Sequence, residues 1–298
     1  MAVGNENPAP AVLPSKPVDT LNFTNGINRA SRDVAWYQPV LKQIPETAKQ
    51  IFKNYSKISD DEVFNHIYRV RDEAWEVLPY VSIGCFRFLD FPASLSPAYP
   101  EVLERVRAGD TLLDLGCGLG QDIRKYVYDG APAENLVGVD VESKFHDLGY
   151  ELFKDRETLK ARLVTGDVFD DDFLSEFRGK IDIIFVGSFL HLFTYEQQLK
   201  IMAHVTKLLR NRKGSMIFGR HMATAQNGGA VNSNTIGWSL YYHSPETINQ
   251  LLESSSAGKW DVQTKLIPYS TASTVVEKGM TWQGSDDIKQ MYFSAKKL

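Results

Sequence analysis

"TLLDLGCGLGQD", residues 111–122, compresses an apolar run, an aspartate and glycines at 116, 118 and 120 into twelve positions. The apolar run predicts a strand, and the glycines predict a tight turn into a helix. Similar β-branched runs follow near 136–141, 161–168, 181–187 and 214–220. Helical patterns lie near 121–129, 144–154, 171–178, 195–210 and 245–254. Strand–helix alternation of this kind predicts an α/β, Rossmann-like doubly wound sheet. Two further runs, "WDVQTKLIPYS" and "IKQMYFSAKK", have no helix between them. They predict an antiparallel C-terminal pair that completes a sheet of seven strands.

The glycine spacing decides between ligands. A dinucleotide fingerprint is G-x-G-x-x-G, whereas this turn reads G-x-G-x-G with Asp114 two residues before its first glycine. A carboxylate there repels a pyrophosphate and suits a cationic ligand end. No lysine stands in the Walker position, which argues against a nucleoside triphosphate. Asp140 ends the second strand in "LVGVDVES" and suits a ribose diol, while Asp167 ends the third in "VTGDVFD" with Val168 beside it for an adenine edge. A lone strand-end aspartate more often caps a helix or forms a turn. Three at consecutive strand ends predict a site for S-adenosylmethionine. The expected cofactor contacts are Asp114, Gly116, Cys117, Gly118, Asp140, Val141, Asp167 and Val168. Gly187, Ser188 and Phe189 complete them across the crevice, after "IDIIFV".

Composition limits the partners. The 298 residues carry a net charge of −4 with both signs interleaved, so no basic footprint suggests nucleic acid. The sequence also lacks [DNS]-P-P-[YFW], the signature of base-nitrogen methylation. Cys85 and Cys117 have neither CxxC spacing nor His/Cys company, so reduced thiols and no metal are expected. No apolar run approaches the ~20 residues a bilayer needs, which predicts no membrane and a cytoplasmic address.

Residues 1–32, with four of the thirteen prolines, read as a mobile tail. Residues 33–109 read as a helical cap and aromatic segment, with Ser59 and Glu62 as a capping box, and 110–298 as the ligand-binding domain. Within that domain, 221–243 is a long polar stretch of the kind that forms lids and binding loops. Candidate acceptor-side residues are Tyr80 and Phe86 from the cap, Arg220 and His221 at the fifth strand's end, and Trp238 and Tyr241 in the loop. Arg220 has the fork that grips a carboxylate. His191, in "GSFLHLF", is the candidate catalytic residue if the acceptor is a hydroxyl that must lose a proton. A carboxylate acceptor needs no base.

"LLDLGCGLGQDIRKYVYDGAP" and "LVGVDVESKFHDLGYELFKDRETL" resemble the class I methyltransferases of fungal secondary-metabolite clusters, particularly the austinol and terretonin type meroterpenoid pathways. The likeness extends to "WYQPVL", "HIYRVRDEAWEVLPYVSIGCFRFLDF" and "GSFLHLF", and thus over about 35–210; Arg124 and the IGxFRFLD segment are specific to that group. It implies a helical cap on a cofactor domain, a homodimer in many members, and O-methylation of a hydrophobic polyketide-derived or meroterpenoid acid to its methyl ester. Phenol or enol O-methylation with His191 as base is the alternative within that chemistry. Of other classes, a nicotinamide oxidoreductase lacks its Tyr-x-x-x-Lys on the 195–210 helix, and a non-catalytic partner subunit predicts a blocked site.

Overall fold

The computed structural model describes residues 31–34, 36–232, 239–256, 258–271, 273, 275 and 287–298. The tail read at 1–32 lies outside them apart from its last two residues, as does Trp238.

The glycine turn follows β1 (Leu112–Leu115) and leads into α5 (Gln121–Tyr128). Before it come α1 (Glu46–Asn54), α2 (Val63–Val77), the single turn α3 (Val81–Gly84) and α4 (Tyr99–Arg107). After it come β2 (Leu136–Asp140), α6 (Ser143–Phe153), β3 (Arg162–Thr165), β4 (Ile183–Gly187), α7 (Tyr195–Leu208) and β5 (Met216–Thr224). The chain ends its described course in β6 (Gly229–Asn232), β7 (Ser239–Tyr242), α8 (Pro245–Ser255), β8 (Trp260–Pro268) and β9 (Ile288–Lys297).

Seven strands form one sheet in the order β3-β2-β1-β4-β5-β9-β8. The first five in that order are parallel; β9 runs antiparallel to both β5 and β8, as its uninterrupted strand pattern predicts. Residues of β1, β2, β4 and β5 are buried almost throughout, the mark of strands covered on both faces. Alternate residues go to opposite layers. Leu113, Val139, Val186 and Ile217 pack with α7 and α8, whereas Leu112, Leu136, Phe185 and Phe218 pack with α4 and α5. The chain reverses its winding at β1, and the crevice outside the ends of β1 and β4 is where such sheets bind ligands.

Helix caps agree with the sequence in two places. Thr194 Oγ1 accepts from the Gln197 amide while Gln197 Oε1 accepts from the Thr194 amide. Ser244 and Thr247 do the same for α8, with Pro245 opening the helix. The Ser59 box does not form: Ser59 Oγ donates to the Glu62 carboxylate instead, and α2 starts only at Val63. The helix expected at 171–178 is also absent. Three successive aspartates and Gly179 leave too short a run to nucleate, and turns with a single 3-10 turn at Ser175–Phe177 take its place.

The segment 33–109 is divided between two neighbours. Ile51, Phe52, Ile67, Val70 and Trp75 of α1 and α2 bury against Phe145, Leu148 and Phe153 of α6, forming the cap. Helix α4 instead contributes Val102 and Val106 to the sheet's own core. The stretch 221–243 is not a plain loop either. Strand β5 continues to Thr224, and β6 pairs with β7 as a separate ribbon.

Candidate active site

One cavity, of about 250 Å³, runs from the glycine turn to the underside of the cap. Its first half is made by strand ends. Gly116 and Gly118 have φ of +71° and +55°, a left-handed backbone that side chains adopt at a cost. A Cβ on Gly116 would stand 2.6 Å from the Phe189 ring, whereas one on Gly118 would meet nothing within 4 Å and would project into open space. Gly118 therefore leaves room for a ligand, and Gly116 leaves room for Phe189.

Asp140 holds the turn in place: its carboxylate accepts from the Gly118 amide at 2.8 Å and from the Glu142 amide at 3.0 Å. It lines the cavity with Val141, which is 47% exposed and offers a bare apolar surface. Asp167 lines it as well and accepts from the Phe169 amide at 2.9 Å. Cys117, Val168, Gly187, Ser188 and Phe189 complete this half. Ser188 is itself left-handed, with φ +55°, and its amide donates to the Arg220 carbonyl at 2.7 Å, tying the end of β4 to β5.

Asp114 does not reach the cavity wall. It is 3% exposed, on the face of β1 that also carries Leu112, and its Oδ2 accepts no hydrogen bond. Burial first, then the neighbouring Asp122 and Asp140, push its carboxyl well above the usual range. An acid so placed gains from a cation nearby. The donor set thus fits S-adenosylmethionine: acids beneath and beside the turn for its cationic end and its diol, an apolar side chain for its base, and a glycine opening for its body.

The second half of the cavity is apolar and aromatic, with two arginines in it. Tyr80, Phe88, Leu240, Tyr242 and Tyr269 line it, as do Arg87, His191, Arg220 and Met222. The only carboxylates lining the cavity among the described residues are Asp140 and Asp167, both in the first half. Burial, then the charges of Arg87 and Arg220, bring the His191 imidazole down to about 3. Its Nδ1 has no hydrogen-bond partner among the described residues.

Three expected acceptor residues are elsewhere. His221 follows Arg220 on a strand, so it points to the opposite face, where its ring lies 5.3 Å from Phe293 and 5.8 Å from His243. Tyr241 is turned away for the same reason and packs on Tyr195 at 4.9 Å; its neighbour Tyr242 faces the cavity. Phe86 is fully buried in the cap core, with the Arg71 guanidinium 4.3 Å from its ring centre. Trp75 likewise belongs to that core. Tyr80, Arg220 and His191 do line the cavity.

Arg87 was not among the residues singled out, although the sequence carries a signal for it. An arginine set between phenylalanines, in "CFRFLD", with an acid three residues on, is a charge that cannot easily reach solvent.

No helix among the described residues is long and apolar enough to cross a membrane, and no group of metal-ligating side chains is found among them.

Comparison with known proteins accords with this geometry. Residues 36–89 match the meroterpenoid methyltransferase N-terminal domain, and residues 112–212 match a methyltransferase domain. The chain is 40% identical to O-methyltransferase phiE of Fungal sp. over 78% of its own length and 80% of that protein. It is 39% identical to methyltransferase adrK of Penicillium roqueforti, over 73% and 78% respectively. Against the asnovolin E/chermesin D methyltransferase nvfJ of Aspergillus novofumigatus it is 45% identical, over 61% and 66%. The matched domains take in the cap as well as the parallel strands β1 to β4, and the relatives agree along most of their length, so the chain belongs to the fungal meroterpenoid methyltransferases and uses S-adenosylmethionine as its cofactor.

Proposed function

We propose that the enzyme is an O-methyltransferase that converts the carboxyl group of a hydrophobic polyketide-derived or meroterpenoid acid into its methyl ester. The observation that carries this reading is the pairing of Arg87 and Arg220 on an otherwise apolar cavity wall, with every lining carboxylate confined to the other end. The buried Asp90 carboxylate stands near both guanidiniums and offsets part of their charge, and the donors of Arg87 that it does not hydrogen-bond suit a further anion. The relative phiE is itself named an O-methyltransferase, which supports oxygen as the acceptor atom.

When bound, S-adenosylmethionine supplies a methyl group on a sulfonium that an oxygen nucleophile can displace in line. Asp140, Asp167 and Val141 would hold its nucleoside, while Asp114, behind the wall, would act on its cationic end through charge alone. Arg220 would orient the acceptor carboxylate, while Tyr80, Met222 and Tyr242 exclude water from around it. An ionised carboxylate needs no base. A phenol does, and an imidazole held at about 3 is a poor proton acceptor at neutral pH, which speaks against the His191-assisted alternative. On this reading His191 uses its unpaired Nδ1 to hydrogen-bond the acceptor.

The test is incubation with methyl-labelled cofactor and a panel of hydrophobic aromatic acids and phenols, followed by mass spectrometry and mild alkali. Label released by alkali as methanol supports an ester; alkali-stable label found only on phenols overturns it.

A further inference from the structure

Among the described residues, Arg87 has more unmet hydrogen-bonding capacity than any other charged side chain on the cavity wall. It begins the short turn Arg87–Leu89, directly after Phe86, whose left-handed φ of +55° redirects the chain. Its side chain is 12% exposed. Nη1 donates to the Tyr269 hydroxyl at 3.0 Å. Asp90 Oδ2 lies 3.8 Å from Nε, near enough to attract it and too far to accept a hydrogen bond. Among the described residues, Nε and Nη2 have no hydrogen-bond partner. These two donors share one edge of the planar guanidinium, the edge that matches both oxygens of a carboxylate. Tyr269 thus occupies the far edge and leaves the fork's two donors without a hydrogen bond among the described residues. Leaving such donors buried and unmet is costly, and a ligand carboxylate removes that cost.

We infer that Arg87 is the residue that distinguishes the ionised acid from its neutral methyl ester, binding the first and releasing the second. The inference rests on the carboxyl-methylating reading above. In the reaction a bond forms between a carboxylate oxygen and the methyl carbon as the bond from that carbon to sulfur breaks. The sulfonium becomes a neutral thioether, and the carboxylate becomes a neutral ester. No proton is transferred. The methyl group now covers one of the two oxygens that Arg87 would grip, and the charge that held them is gone. Arg87 therefore favours turnover by losing its partner in the same step that makes product. Tyr269 acts as a positioning residue, holding the guanidinium so that its fork faces the cavity.

The test uses an alkyl-substituted benzoate, its primary amide and its methyl ester as probes, titrated into protein saturated with S-adenosylhomocysteine. For the wild type, the benzoate is expected to bind at least tenfold more tightly than the amide or the ester. Arg87→Gln should bring the three within about threefold of one another while S-adenosylhomocysteine binding stays within about twofold. If Arg87→Gln no longer binds the cofactor product, Tyr269→Phe takes its place and should lower the acid-over-amide preference about threefold. A wild type that does not prefer the acid, or a folded Arg87→Gln that keeps the preference, overturns the inference. Either failure is separable from that of the ester reading, which depends only on where the labelled methyl lands.

Discussion

Arg124 and Asp155 form a two-pronged ion pair in which neither side chain is more than 2% exposed: Nε lies 2.9 Å from Oδ2 and Nη2 lies 3.0 Å from Oδ1. Arg124 belongs to α5 and Asp155 follows α6, so the pair joins the two helices that flank β2 in the chain. The remaining guanidinium nitrogen, Nη1, donates to the carbonyls of Leu119 and Gly120. Tyr55, next to α1, donates to the same Asp155 Oδ2 at 2.7 Å. One buried cation thus fixes the end of the glycine turn and brings the cap to it.

Removing either partner leaves the other charge buried alone, which typically costs about 3–5 kcal/mol. Arg124→Gln and Asp155→Leu should each lower the urea midpoint accordingly, and Arg124→Gln should also weaken S-adenosylhomocysteine binding because the turn loses its anchor. Tyr55→Phe removes one hydrogen bond and should cost about 1 kcal/mol. Equal stability of Arg124→Gln and wild type would show that the pair contributes nothing net.

Asp140 divides its carboxylate between the turn amides and the cavity. Asp140→Asn keeps one acceptor but loses the charge, and a hydrogen bond to a charged group is worth about 1.5–3 kcal/mol. The expected outcome is roughly tenfold to a hundredfold weaker S-adenosylhomocysteine binding by calorimetry. Unchanged affinity would remove Asp140 from the cofactor site.

Tyr241 and Tyr242 are adjacent, yet face opposite sides of β7. Tyr242→Ala should raise the acceptor KM about tenfold and, because its ring is buried against Met222 and Leu240, also lower stability by about 3–5 kcal/mol. Tyr241→Ala should leave KM alone and cost about 0.5–1.5 kcal/mol for the lost ring pair with Tyr195. A reversed pattern in KM would mean that the ribbon is shifted by one residue.

Asp122 is buried and bonded to the Ala93 amide at 2.8 Å, and burial raises its carboxyl to about 6. In the unfolded chain it titrates near 4. Between those values the folded protein binds the extra proton, so this group's contribution to stability falls as pH rises from about 4 to about 6 and then stays level. Asp122→Asn keeps the acceptor for Ala93 and removes the ionisation. It should be close to wild type at pH 4 and more stable by about 1–3 kcal/mol at pH 7.5, read from urea unfolding at both pH values. A constant difference across that range would rule out the titration.

The central strands β1, β2 and β4 were legible because they are covered on both faces and so appear as largely apolar runs that end at an acid or a glycine. The acceptor wall was harder for a reason visible in two neighbouring pairs. Arg220 and His221, like Tyr241 and Tyr242, lie on strands, where one residue of register exchanges wall for core. Period-two alternation alone would have shown that Arg220 and His221 cannot both line one cavity. Which member of each pair does so depends on pairings with β4, β9 and β6 that lie far off in sequence. Phe86 misled for a different reason: its left-handed backbone sends the ring into the cap and leaves Arg87 facing the cavity. No local pattern announces that turn in a residue other than glycine. Asp114 is an expected cofactor contact on the sequence alone, and its place behind the wall follows from alternation along β1.

The order of the sheet also bears on how the chain is made. Strand β9 is the last of the seven in chain order, yet it lies between β5 and β8 and pairs with β5 from Met216–Lys296 to Thr224–Ile288. While a nascent chain is still short of residue 288, the outer edge of β5 has no mate and β8 has no sheet to join. Such an edge is a template for pairing with another chain. Chains released before that point would present an unpaired β5 edge beside the two cavity residues it carries, Arg220 and Met222. The β5 edge is therefore closed, and the seven-stranded sheet complete, only once residues 288–297 have been made.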